Sequence, residues 1–289
     1  MPSETTITIS INTTRGIISG MIATLVTHPL DVLKIRRQIS PNPHGSFRRA
    51  WRIYRDEGWR SFYCGLSAGL WRQVTNTATR SMVYDILHDR YVKMHKVEPP
   101  ESTLIVLGII SSMAGGVVGN PSEMVLVRRM AEGCHFLTSA GQHTCEGAPR
   151  KTFDSLRKIV REEGFVGGLW RGCTLTLLRS AMVSVIHISL YECFKLRAFL
   201  EEKKFASDEH TLGLYTVTLA HLISALMTHP VDIVKSFYQL SKRKEDRPHM
   251  IMRHLLRTRG MIGLLRGFPP YFVRMTSHAI IKFYVMEII

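Results

Sequence analysis

Three arginines stand at one offset in three otherwise diverged phrases. Each lies seven residues after a glycine: Gly65 leads to Arg72, Gly172 to Arg179 and Gly267 to Arg274. Seven residues is about 10 Å along a helix, whereas side chains that merely reach back to an interface stand near a helix end. That bland reading explains any one arginine but explains the set poorly. Arginine inside an apolar helix is costly and normally faces a cavity. Its planar fork binds carboxylates through two hydrogen bonds at once. One helical turn further on stand Asn76, Val183 and His278, and two turns on stand Arg80, His187 and Lys282. No acid interrupts this face, so the expected chemistry is a cationic cavity that takes small di-anions.

The elements that carry this face repeat three times. Pro29-Leu-Asp31-Val-Leu-Lys34 returns as Pro121-Ser-Glu123-Met-Val-Leu126 and as Pro230-Val-Asp232-Ile-Val-Lys235, with the base missing from the second copy. Each copy ends a long apolar stretch. A period of about a hundred residues implies a threefold architecture. Acid and base three residues apart share a helix face, and the proline kinks the helix. Three such ends can meet around an axis and close it, which is the signature of a gate. The expected fold is an all-α membrane protein of six transmembrane helices in three tandem repeats, spanning residues 1–98, 99–206 and 207–289.

The chain has 289 residues and a formal net charge of +15. Its mean hydropathy is close to zero, but the average conceals clean runs. Ser102 to Ser122 and Thr211 to Val231 carry no Asp, Glu, Lys or Arg and reach the roughly 20 residues that span a bilayer. Gly16 to Leu30 is a shorter run of the same kind. The positive charge fits anionic substrates or an anionic membrane surface. Nucleic acid is not expected, since no helix-turn-helix or RNA-binding signature occurs. The five cysteines are odd in number and include no CxxC, which argues against a disulfide framework. Cys134-His135 and His143-x-Cys145 could clip a metal, but their spacing fits an ordinary polar loop better. No metal or other cofactor is expected. The first ten residues show no signal or cleavable transit pattern.

Each repeat is expected to hold two long helices. They run from about Ile9 to Gln38 and Leu66 to Lys93, then Thr103 to Met130 and Gly168 to Leu200, then Leu212 to Gln239 and Pro270 onward. Basic surface segments lie at Phe47 to Asp56 and Met250 to Arg259, and a long polar loop follows Met130. Gly16-x3-Gly20 and Gly108-x3-Ser112 would allow close helix contact, with Val217 and His221 fitting less tightly. The glycines ahead of the arginines belong to a shared phrase. Glu57-Gly58 leads to Tyr63-Cys64-Gly65, Glu163-Gly164 to Trp170-Arg171-Gly172, and Arg259-Gly260 to Leu265-Arg266-Gly267.

These motifs together resemble the mitochondrial carrier family over about Ile9 to Ile289. Within it, the chain is similar to the branch of oxoglutarate/malate and dicarboxylate carriers. The phrases that carry the likeness are Gly65-Leu-Ser-Ala-Gly-Leu-Trp-Arg-Gln73, Gly119-Asn-Pro-Ser-Glu-Met-Val-Leu-Val-Arg128, Arg171-Gly-Cys173 and Gly267-Phe-Pro-Pro-Tyr-Phe-Val-Arg274. The resemblance implies six helices with pseudo-threefold symmetry and alternating access. It implies substrate contacts at Arg80, Arg179 and Arg274, with Arg72 and His187 also facing the lumen. It implies a matrix gate of Asp31, Lys34, Glu123, Asp232 and Lys235, braced beneath by Gln38 and Gln239. A cytoplasmic gate of the form aromatic-acid-x-x-base falls on Tyr84-Asp85-x-x-His88 and on Tyr191-Glu192-x-x-Lys195. In the third repeat it retains only the acid, Glu287. With the cytoplasmic set poor in bases, the cytoplasm-open state is expected to be favoured.

The chain departs from the family pattern at Phe237 and Arg259 in the third repeat, at Cys64, and at Asn76, His187 and Lys282 on the cavity face. The leading expectation is a multi-pass inner-membrane antiporter, not an enzyme, that exchanges small dicarboxylates or oxo-acids and works as a monomer. Membrane lipid, cardiolipin included, is the other expected partner. The alternatives are an uncoupling-type proton leak or a carrier-like protein that has lost transport. A soluble basic enzyme has no nucleotide loop, metal triad or nucleophile constellation to support it.

Overall fold

The computed structural model describes residues 4–39, 45–131, 152–200, 209–241, 247–265 and 267–288, with only the helical backbone described over 4–12, 187–200 and 209–217 and at 259, 261, 262, 283 and 287. Every regular element among them is helical. Six long helices dominate: α1 (Glu4–Ile39), α3 (Leu66–His95), α4 (Glu101–Ala131), α7 (Cys173–Leu200), α8 (Glu209–Leu240) and α10 (Phe268–Ile288). Short helices fill the connections: α2 (Ser46–Glu57), a 3₁₀ turn at Trp59–Tyr63, α5 (Thr152–Glu163), α6 (Phe165–Leu169) and α9 (Pro248–Gly263). The expected polar loop after Met130 thus contains a helix, α5. Its buried Ser155 and Ile159, with Leu156 and Val160 packed alongside, form the i, i+3, i+4 stripe of an amphipathic surface helix.

The long helices close into a ring. α1 packs on α3 and α10, α4 on α3 and α7, and α8 on α7 and α10. The ring is apolar outside and polar within. Leu25 and Val26 of α1 are 40% and 58% exposed, whereas Thr24, Thr27 and His28 beside them are buried. The same inversion recurs on α4, where Val117 and Val118 are exposed and Gly119 and Asn120 are buried. Exposed apolar stripes around a polar interior suit a lipid surround. By length and composition, two of the described helices can cross a membrane, Thr13–Ile39 and Glu101–Ala131. Other long helices carry charge on their inner face, as α3 does at Arg72 and Arg80.

Small residues set the closest helix approaches, though not entirely at the expected pairs. Gly16 and Gly20 of α1 receive Thr77 and Gln73 of α3. On α4 the tight positions are Gly115 and Gly119, which receive Asn76, and Gly116, which receives Thr176 and Ser180 of α7. Asn76 therefore packs against α4 instead of standing free on the cavity face. Ser112 contributes through a 3.0 Å hydrogen bond from Ser184. Before each second helix the chain turns sharply at a glycine, Gly65, Gly172 or Gly267, with φ of 82°, 82° and 87°. A side chain there would be strained. This turn ends α6 and starts α7 at Cys173, later than the expected Gly168.

Candidate functional site

The three proline motifs converge at one end of the ring. Lys34 donates to Asp232 at 3.0 Å, and Lys235 pairs with Glu123 at 2.7 Å. Both pairs join different helices, α1 to α8 and α8 to α4; neither lies within one motif. Asp31 faces no base on α4, because Leu126 is buried in an apolar cluster with Val32, Ile35, Ile39 and Met130. Its partner is Arg274 of α10, at 2.8 Å. Arg179 of α7 likewise reaches Asp232, at 2.6 Å. Two of the arginines expected to stand unpaired in the cavity are thus engaged by gate acids, which corrects the picture of a face without acids. A carboxylate two residues past a proline on one helix reaches an arginine on another, and the helix-by-helix reading of the face could not show this.

Arg72 completes the layer. It lies within electrostatic reach of Glu123, Asp31, Arg179 and Arg274 but forms no ion pair among the described residues. The lining of this cavity holds five bases (Lys34, Arg72, Arg179, Lys235 and Arg274) against three acids (Asp31, Glu123 and Asp232). The excess is two positive charges.

Beneath the gate, Gln38 and Gln239 are fully buried. Gln38 accepts a hydrogen bond from Ser236 at 3.3 Å and packs against Gly267, while Gln239 packs against Gly172. The Gln239 amide makes no hydrogen bond among the described residues. The equivalent position in the second repeat is Met130. A second ionic layer lies here that sequence reasoning did not anticipate. Arg36 holds Glu57 through two 2.7 Å hydrogen bonds and also donates to the Met130 carbonyl at 3.1 Å. Arg128 donates one 2.7 Å hydrogen bond to Glu163, lies 2.6 Å from its other oxygen, and donates to the Gln239 carbonyl at 3.3 Å. In the third repeat Phe237 takes the arginine's place and packs with Ile233, Val234, Ile251, Leu255 and Leu264. The two third-repeat departures, Phe237 for a base and Arg259 for an acid, fall on the two partners of one strut. That paired substitution was the available signal.

Tyr271 is the other residue that sequence reasoning missed. It is fully buried, its ring lies 3.8 Å from the Lys34 ammonium, and its hydroxyl contacts Thr228 at 3.3 Å and Arg179. It also packs on His229, with ring centroids 5.2 Å apart. Tyr271 stands four residues after Gly267, where the other repeats have Gly69 and Thr176. Those pair in turn with the residue before each proline: Gly69 faces His28, and Thr176 donates to Asn120 at 2.9 Å. Only the third repeat fills this place with an aromatic ring under a gate lysine, a contact that holds a cation by its π face.

The remaining expected residues lie elsewhere. Arg80 stands two turns beyond Arg72, exposed and outside the gate layer. Asp85 makes no ion pair among the described residues, and His88 reaches Glu98 at 3.5 Å. The side chains of His187, Glu192, Lys195 and Glu287 lie outside the described residues, as do Cys134 and Cys145. Among the described residues no cluster could hold a metal ion.

The family model for mitochondrial carrier proteins matches residues 6–95, 99–202 and 211–289. The 2-oxoglutarate/malate carrier of Bos taurus is 31% identical over 283 residues, covering 94% of this chain and 87% of the relative. That of Caenorhabditis elegans is 32% identical over 285 residues, covering 93% and 88%. The dicarboxylate transporter of Saccharomyces cerevisiae is 27% identical over 270 residues, covering 93% and 88%. A helical ring closed by three proline motifs, matched three times along its length, makes the chain a member of the mitochondrial carrier family, whose proteins are multi-pass transporters of the inner mitochondrial membrane and not enzymes.

Proposed function

We propose that this carrier exchanges small dicarboxylates or oxo-acids, 2-oxoglutarate and malate among them, by alternating access. One observation carries the reading: the gate cavity has two more bases than acids, and two of its arginines are held by gate acids. A di-anion cancels the excess. Its carboxylates compete with Asp31 for Arg274 and with Asp232 for Arg179, offering each guanidinium a two-pronged contact where the gate acids reach only its Nε. Binding therefore weakens the ion pairs that hold the matrix end closed. Such a differential interaction with the two states is what any ligand-driven switch requires. An empty cavity keeps its acids paired, so movement without substrate is disfavoured and exchange is favoured over leak. The relatives that transport 2-oxoglutarate, malate or dicarboxylates support this substrate class.

The test is thermal-shift screening of the purified protein against di- and tricarboxylates, phosphate, sulfate and nucleotides, followed by exchange in liposomes. A ligand of the folded state raises apparent stability by mass action. Stabilisation by 2-oxoglutarate or malate is expected, and it should vanish in Arg179→Ala and Arg274→Ala together with exchange. Folded protein that shifts with no anion would overturn the reading.

A further inference from the structure

The two gate lysines are held differently. Lys235 meets Glu123 at 2.7 Å and has no aromatic ring over it among the described residues. Lys34 meets Asp232 at 3.0 Å and also lies 3.8 Å from the centre of the Tyr271 ring. That ring is fully buried, yet its surroundings are not those of a core aromatic. His229 packs on it with centroids 5.2 Å apart, and its hydroxyl lies 3.3 Å from Thr228. Thr228 spends its single O–H on the Ser224 carbonyl at 2.7 Å, so the tyrosine hydroxyl is the donor to the threonine oxygen.

These contacts tie α10 to α1 and α8 at one height. Thr228 and Asp232 are four residues apart and share a face of α8. The tyrosine therefore grips the face of α8 that carries the acid and presses the lysine of α1 onto it. The turn before α10 brings the two helices together here, since a Cβ on Gly267 would stand 3.4 Å from the Lys34 carbonyl. Tyr271 also lies three residues before Arg274, on the same face of α10.

This placement supplies a link that the ion pairs lack. A dicarboxylate that draws Arg274 from Asp31 and Arg179 from Asp232 does not act on Lys34. The α10 face that carries Arg274 also carries the ring, so a shift of one moves the other. We propose that Tyr271 is a positioning residue that latches the empty carrier: its ring holds Lys34 on Asp232 until substrate draws on Arg274. The joint between α1 and α8 then stays shut without substrate and opens with it. This inference deepens the antiport reading above and rests on it.

The experiment uses full-length protein in liposomes loaded with malate, with potassium and valinomycin clamping the membrane potential. Efflux is measured with and without external 2-oxoglutarate, and the ratio of net efflux to exchange is the readout. Tyr271→Leu removes the ring and should raise that ratio about tenfold or more. Tyr271→Phe keeps the ring, loses one hydrogen bond and should raise it only about threefold. Pentafluorophenylalanine at position 271 keeps a ring of similar size but removes the negative π face, and should behave like the leucine variant. It decides the matter even if the unliganded Tm shows that Tyr271→Leu does not fold. A merely structural tyrosine would lower net efflux and exchange in proportion. An unchanged ratio in the leucine and pentafluoro variants, or a pentafluoro variant equal to Tyr271→Phe, would overturn the latch while leaving antiport intact. Absence of exchange by the wild type would sink the antiport reading, and the latch with it.

Discussion

The end of the ring where the proline motifs meet holds two ionic layers that join the repeats in different ways. In the upper layer, the gate, ion pairs cross between the first and third repeats (Lys34–Asp232, Arg274–Asp31) and between the second and third (Lys235–Glu123, Arg179–Asp232). No direct ion pair of this layer crosses between the first and second repeats among the described residues. In the lower layer, Arg36 and Arg128 each hold an acid of their own repeat and reach a carbonyl of the next, at Met130 and Gln239. The upper layer is built from groups an anionic substrate can compete for. The lower layer is built from arginine–carboxylate pairs outside the cavity lining and from backbone acceptors. The difference separates what must switch from what must hold.

The largest test of this division is Asp232→Asn. Asp232 is buried and is shared by Lys34 and Arg179, so its loss strands two cations. Removing one partner of a buried pair costs about 3–5 kcal/mol. Exchange should fall at least a hundredfold, with a lowered Tm. Glu57→Gln in the lower layer should cost stability, about 1–3 kcal/mol, and reduce exchange only severalfold. Equal effects on exchange would erase the distinction between the layers.

Phe237→Arg probes the third repeat. A guanidinium placed among Ile233, Ile251, Leu255 and Leu264 should destabilise by about 2–4 kcal/mol. Adding Arg259→Glu should restore roughly half of that loss, because the pair rebuilds the strut of the other repeats. Thermal unfolding of the single and double variants decides it, and a double variant no better than the single would mean that the third repeat does not share the strut geometry.

The smallest expected effect is that of Leu126→Lys, which supplies the missing base opposite Asp31. An added ion pair of about 1 kcal/mol would slow exchange up to about fivefold by strengthening the closed matrix end. Faster exchange in liposomes would show that the new base does not reach Asp31.

Much of this arrangement was legible in the sequence, for reasons that differ by residue. The proline motifs and the arginines at one offset recur at matched intervals, and periodicity along a helix is a local property. Which acid meets which base is not local. Arg274 and Asp31 are 243 residues apart, and their pairing depends on how α10 and α1 rotate against each other once Leu126 has turned into the apolar cluster. The position of Asn76 was misjudged for the same reason, since the glycines of α4 draw α3 close on that side. Arg80 and Arg72 share a helix face, but two turns of rise separate a free cation from one embedded in the gate. Tyr271 occupied an unremarkable place in a phrase of apolar residues, and its neighbours from α1, α7 and α8 gave it meaning.

Phe237 has one more consequence. A side chain without a donor cannot clasp the carbonyl of Gln38 as Arg36 clasps Met130 and Arg128 clasps Gln239. The three joints of the ring are therefore unequal. Among the described residues, the joint between the first and second repeats is held by apolar packing and a clasp, the next by ion pairs and a clasp, and the last by ion pairs, the Ser236–Gln38 hydrogen bond and the Lys34–Tyr271 contact without a clasp. Mechanically, this describes a clamp more than an iris: a hinge on the side of Leu126, and jaws that part between α8 and α1 when the charges between them are drawn away.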